Sequence, residues 1–178
     1  MDTADLRRAL GRFGTGVTIV STLDAQGVPT GVTANSFSSV SLDPPIVLWS
    51  LRRASPSLAA FDATGRFVIN VLALEQVELS RRFASPVADK FAGVGHTRGL
   101  GGLPVVEGCA AVFECRTEQR LEVGDHILFL GLVEAYGHQG GPTLLYCQGQ
   151  YAQGVNLETP QARTPAPANA APCAAVPS

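Results

Sequence analysis

Charge is scarce in this chain, and lysine scarcer still. Asp, Glu, Lys and Arg make up 16% of the 178 residues, and the formal net charge is −2. Lys90 is the one lysine; every other basic residue is arginine. With no broad basic field, neither nucleic acid nor a membrane surface is an expected partner. The four cysteines, Cys109, Cys115, Cys147 and Cys173, form no CxxC pair and show no zinc-like spacing to histidine, so no metal site is expected. Cys109 and Cys115 sit inside apolar, strand-like runs and read as buried free thiols in a reducing compartment. No run approaches the ~20 apolar residues of a membrane span. The opening MDTADLRRAL is polar and amphipathic and lacks the apolar stretch of a signal peptide. The expected location is the cytoplasm. Two motifs are also missing. No GxGxxG follows the first strand, which excludes a Rossmann unit, and no GxSxG elbow supports a serine nucleophile.

What remains is a chain with 46% apolar residues, about one domain long and able to bury a core. Thr3 to Phe13 reads as a helix, with Leu6, Ala9, Leu10 and Phe13 on one face, Asp2 or Thr3 as cap, and Gly14 and Gly16 as the stop. The period then changes to two. Gly16 to Leu23 alternates, Asp24 to Gly27 turns, and Pro29 to Ala34 returns as a hairpin partner. Ile46 to Leu51 is apolar throughout, as in a strand buried on both faces. Ser55-Pro56 starts a short helix. Arg66 to Leu72 reads as a strand and Glu75 to Phe83 as a second amphipathic helix.

Residues 84–108 form a Gly- and Pro-rich excursion of the kind that is usually functional or mobile. Cys109 to Leu121, His126 to Tyr136 and Thr143 to Cys147 complete the strands. About seven strands in hairpin-like order, with a few helices, predict a mainly β, antiparallel barrel or sandwich. Residues 1–155 are expected to form one domain. Residues 156–178, rich in Ala and Pro, read as a disordered tail.

Three clusters carry candidate chemistry. The run GVTANSFSSVS from Gly31 to Ser41 ends a strand in small hydroxyl and amide residues. Its backbone N–H groups could hold a planar heterocycle or a phosphate, although a plain Ser-rich turn fits as well. The run Ser50 to Ser57 sets Arg52 and Arg53 among three serines at a helix start. That is an anion site, or else a capped helix with solvated arginines. Asp125-His126 heads an apolar strand and offers either a ligand contact or a turn acid beside a satisfied histidine. His96 and His138 read as surface residues.

At these clusters the sequence resembles the flavin reductase-like family, whose fold is the FMN-binding split β-barrel. Four runs carry the likeness: LRRALGRFGTGVTIV from Leu6, GVTANSFSSVSLDPP from Gly31, FVINVL from Phe67 and GDHILFLG from Gly124. The second is the specific one, and together they span about residues 6 to 154. The resemblance implies an antiparallel split barrel with peripheral helices. It also implies hydride transfer from NADH or NADPH to FMN or FAD, a homodimer, and delivery of reduced flavin to a partner monooxygenase. By the same resemblance the flavin ring packs against Thr33, Ala34, Asn35 and Ser36, with further contacts at Ser38 and Ser39. Phosphate or ribityl contacts come from Ser50, Leu51 and Arg52 and from Ser55 and Ser57. Lys90 and Phe91 match another flavin-contacting pair. Asp125, His126 and the region of Tyr151 match the side where the nicotinamide approaches, with His126 expected to position rather than to act as an obligatory acid. Competing expectations are a split-barrel flavoprotein reducing another acceptor, a non-catalytic flavin-binding module and a plain β-barrel interaction protein.

Overall fold

The computed structural model describes residues 2–155; the Ala- and Pro-rich stretch 156–178, with Cys173, lies outside them. The strands are β1 (Thr15–Gly16), β2 (Thr18–Leu23), β3 (Pro29–Ala34), β4 (Ser38–Leu42), β5 (Pro45–Arg52), β6 (Arg66–Val71), β7 (His96–Arg98), β8 (Pro104–Val106), β9 (Ala111–Val123), β10 (His126–His138), β11 (Leu144–Cys147) and β12 (Gln150–Gln153); β2, β3, β5, β6, β9, β10 and β11 fall on the seven expected runs. The helices are α1 (Thr3–Leu10), α2 (Leu58–Thr64) and α3 (Val77–Ala84).

Seven strands form one antiparallel sheet in the order β3-β2-β6-β9-β10-β5-β4. The sheet curls on itself. Val20, Trp49, Phe67, Ile69, Cys115, Ile127 and Phe129 come from five strands yet pack in one buried cluster. Trp49 stacks on Phe129 with centroids 4.9 Å apart, and Phe61 of α2 meets Trp49 edge-on at 4.9 Å, so α2 packs into this aromatic core. The interior is tight enough to demand glycine at position 131. A Cβ there would stand 2.4 Å from Cζ of Phe67.

A second core lies outside the barrel wall, where Val17, Ile19, Leu72, Phe83, Phe91 and Leu144 pack between β2, α3 and a small sheet ordered β1-β11-β12. The excursion 84–108 is pinned from within. Fully buried Asn70 accepts the Val106 N–H at 2.9 Å and donates to the Ile19 carbonyl and the Ser21 hydroxyl, while Ser21 donates to the Pro104 carbonyl.

β3 and β4 are the two edges of the large sheet, and residues 35–37 cross from one to the other. Where they cross, the barrel wall is split. Ser36 spans the gap with its side chain: its hydroxyl accepts the Ser50 N–H at 2.9 Å and donates to the Ser50 carbonyl at 3.2 Å. A hydroxyl can do both because it carries one donor and two lone pairs.

Several features differ from the sequence expectations. α2 begins at Leu58 after Ser57 rather than at Ser55-Pro56, and the excursion 84–108 contains the paired strands β7 and β8. α1 ends at Leu10: the Gly11 N–H makes the last i→i−4 bond, to the Arg7 carbonyl, and the Arg12 and Phe13 N–H groups then tighten onto the Ala9 and Leu10 carbonyls at 3.1 Å. β5 is buried on one face only: Val47, Trp49 and Leu51 point inward, while Ile46 and Leu48 remain half-buried outside. β4 and β12 are strands that the Ser-rich and Gln-rich segments concealed. His96 is half-buried, with Nδ1 2.9 Å from the Val94 carbonyl and its ring edge-on to Phe91.

Candidate functional site

The split opens into a cleft of about 1030 Å³ built from three stretches of chain. One wall is β3 with the bend that follows it, including Thr33, Ala34, Asn35 and Ser36. A second is the end of β5 running into α2, with Ser50, Leu51, Arg52, Ser55 and Ser57. The third is the end of α3 and the loop behind it, from Phe83 to Ala88 and again at Lys90. His126 joins them at the rim. The volume is at the upper end of the range for sites that enclose a cofactor-sized ligand.

The polar groups divide into those the protein already uses and those it leaves over. The Thr33 hydroxyl donates to the Ser80 carbonyl at 2.6 Å, and Thr18 donates to the Ala34 carbonyl at 2.7 Å. Ser36 is engaged with Ser50. Lys90 donates to the Phe83 carbonyl at 2.8 Å, capping the end of α3, and reaches the Gly31 carbonyl at 3.3 Å. Burial holds its ammonium pKa below the ordinary lysine value. Gly31 permits this close fit, since a Cβ there would stand 3.0 Å from the Phe83 ring.

Left over are the backbone N–H groups of Asn35, Ser36 and Phe37. The β2–β3 ladder stops at Ala34, and none of the three donates to another described group. An unpaired N–H in a partly enclosed site is costly unless solvent or a ligand takes it. Asn35 and Ser36 line the cleft, whereas the Phe37 side chain packs on Phe113 and the barrel core; neighbouring free N–H groups at such a bend can hold an electron-rich edge. Arg52 is exposed, whereas its neighbour Arg53 is 3.7 Å from Glu122. Ser55 accepts the Ser57 N–H at 3.3 Å, which fixes the approach to α2.

Arg52 and His126 are direct cross-strand partners on the outer face of β5 and β10. Asp125 Oδ1 lies 2.8 Å from His126 Nδ1, and this bond with the histidine holds the exposed Asp125 carboxyl below the usual carboxylate range. An ionised carboxylate only accepts, so Nδ1 carries the proton and Nε2 is the nitrogen presented outward.

Five of the singled-out residues do not line the cleft. Ser38 and Ser39 lie exposed on β4, with the Ser38 hydroxyl on the Ser39 carbonyl. Phe91 is buried edge-on to Phe83 at 4.9 Å. Asp125 stands behind His126, and the Tyr151 hydroxyl is 2.9 Å from the Ser80 hydroxyl. Conversely, the wall from Ser85 to Ala88 and the hairpin turn at Asp24 to Gln26 line the cleft without having been singled out. Ser85-Pro86 was the available signal: a residue before proline leaves the helical region, so α3 had to release its chain there.

Fold and cleft together define a class: a split antiparallel barrel whose wall opens on a donor-lined, nucleotide-sized site. Residues 10–154 match the flavin reductase like domain, and the chain belongs to that family. It is 45% identical over 150 residues to a probable flavin reductase of Rhizobium meliloti, an alignment covering 84% of this chain and 48% of that protein. This chain therefore spans about half the length of that relative. It is 39% identical over 168 residues to the reductase subunit HsaB of a flavin-dependent monooxygenase of Rhodococcus jostii, covering 94% of this chain and 84% of that one. Among solved structures it is similar to the NADH:FAD oxidoreductase SgcE6 of Streptomyces globisporus in complex with NAD and FAD fragments. The TM-score is 0.80 and the identity 34%, over 90% of this chain and 95% of that one.

Proposed function

We propose that this chain is an NAD(P)H:flavin oxidoreductase that reduces FMN or FAD and releases it to a partner monooxygenase. The observation that carries the reading is the pair of N–H groups at Asn35 and Ser36, without partners among the described residues, where the barrel wall opens into the cleft. The flavin reductase and monooxygenase reductase names of its relatives support it. The bound pair supplies the redox chemistry, a hydride passing from nicotinamide to flavin.

The protein's own task is to hold and orient. The bend N–H groups stabilise negative charge on a ring edge with dipoles already fixed in place. Arg52, Ser55 and Ser57 offer a fork and hydroxyls to a phosphate. Phe83, Leu51 and Ala34 give the cleft apolar wall that limits water. His126, with Nδ1 fixed by Asp125, positions the incoming nicotinamide or the reduced ring through Nε2. No side-chain nucleophile is needed. In a His126→Ala variant, a kcat loss of about 10²-fold with unchanged nicotinamide affinity would instead make this residue an obligatory acid.

The outer face of β5 and β10 favours a homodimer. Leu48 pairs with Leu130 and Ile46 with Leu132 across the strands, all half-buried, and on β4 the same face continues in Ser38 and Ser41. An apolar strip of this kind with a polar margin suits a contact surface. No helix among the described residues is long and apolar enough to cross a membrane, and a cytoplasmic site of action belongs to the same proposal.

The test is steady-state oxidation of NADH and NADPH with FMN, FAD and riboflavin in turn. Turnover with at least one pairing is expected. Flavin binding without oxidation of either nicotinamide would leave a flavin-binding module, and no binding at all would leave a bare barrel.

A further inference from the structure

Ser80 of α3 is fully buried and is held by two other elements at once. Its carbonyl accepts the Thr33 hydroxyl of β3 at 2.6 Å, and its own hydroxyl lies 2.9 Å from that of Tyr151 on β12. Tyr151 is itself fixed. Its ring is edge-on to Tyr146 at 5.4 Å and carries the Arg81 guanidinium 5.5 Å from its centroid. One turn of α3 is therefore gripped from both sides. Ala84 lies four residues beyond Ser80, on the same helix face, and Phe83 lies three beyond. Phe83 and Ala84 both line the cleft, whereas Ser80 and Tyr151 do not. The rotation of α3 sets that wall, and the hold on Ser80 is the polar contact that fixes it beside the packing of Phe83.

We infer that Tyr151 is a positioning residue for the flavin: through Ser80 it fixes α3 against Thr33, and so the wall on which the ring is seated. The inference rests on the reading of the cleft as a flavin site. Removing the Tyr151 hydroxyl leaves a buried Ser80 hydroxyl without its partner, and a small rotation of α3 relieves it at the expense of the cleft wall.

The experiment uses the full chain with FMN as probe. Tyr151→Phe is expected to raise the FMN Kd about five-fold, the worth of one buried hydrogen bond, and to change the visible circular dichroism of bound FMN. Thr33→Val releases the same helix from the other side, so the double variant should weaken FMN by less than the product of the single effects. A lowered melting temperature with FMN affinity and dichroism unchanged would reduce Tyr151 to a structural contact and overturn the inference. So would independent effects in the double variant. A raised KM for NADH with FMN affinity unchanged would assign Tyr151 to the nicotinamide instead. A wild-type chain that binds no FMN would overturn the flavin reading itself, and the inference with it.

Discussion

The barrel interior and the split are parts of one sheet with opposite logic. Inside, Trp49, Phe67, Ile127 and Phe129 are fully or almost fully buried, and continuous ladders fix their register. At the split, the ladder of β3 stops at Ala34 and the Ser36 side chain ties the bend that follows to Ser50 of β5. The interior is held by the β5–β10 and β6–β9 ladders and gains stability by excluding water. Among the described residues the split leaves the Asn35 and Ser36 N–H groups at the cleft without partners, and gains a place where a polar ring can sit. The difference teaches that stability and binding are separable here, and substitutions should divide accordingly.

The largest effect should come from the interior. Trp49→Ala removes a buried ring stacked on Phe129 and should lower stability by about 3–5 kcal/mol, read as a large fall in melting temperature. A variant that melts normally would mean the aromatic core is not what closes the barrel.

Arg52→Ala, at the exposed rim, should leave the melting temperature alone and weaken FMN by roughly 10- to 100-fold, the range for a charged hydrogen bond to phosphate. Riboflavin, which has no phosphate, should bind as before. Equal losses for both ligands would place the phosphate elsewhere.

Ser36→Ala should fall between the two regions. It removes the strut across the split, costs about 1 kcal/mol of stability, and weakens FMN and riboflavin alike. Unchanged affinity would show that the bend keeps its shape without the strut.

The smallest effect concerns the interior thiols. Burial pushes Cys109 and Cys115 up to about 12. Their folded values lie above the unfolded thiol value of about 8.5, so the native state favours the protonated form. That contribution is whole below pH ~8.5 and is lost as pH rises toward 12. Melting temperature should therefore begin to fall above about pH 9, and both thiols should resist aromatic disulfide reagents at pH 8 until the chain unfolds. Ready reaction of either in the native state would contradict the burial.

Much of the frame could be read from the sequence, because the alternating run Gly16 to Leu23 and the apolar run Ile46 to Leu51 both signal strands, although only the structure shows that the second buries one face. β4 could not. Ser38 to Leu42 is an exposed edge strand with little apolar alternation, and its partner β5 makes it a strand. β12 was hidden for the same reason. The three clusters singled out for chemistry do meet at one cleft, but the bonds that shape it join distant positions: Ser36 to Ser50, Thr33 to Ser80 across 47 residues and Ser80 to Tyr151 across 71. No local pattern announces such pairs. Only the folded topology brings α3 between β3 and β12.

The most direct test of the split as a flavin cradle is an amide resonance titration of the full chain with FMN. The account predicts that the N–H signals of Asn35 and Ser36 shift most and exchange more slowly with solvent when FMN is bound. Saturable FMN binding that leaves those two amides unmoved would contradict it.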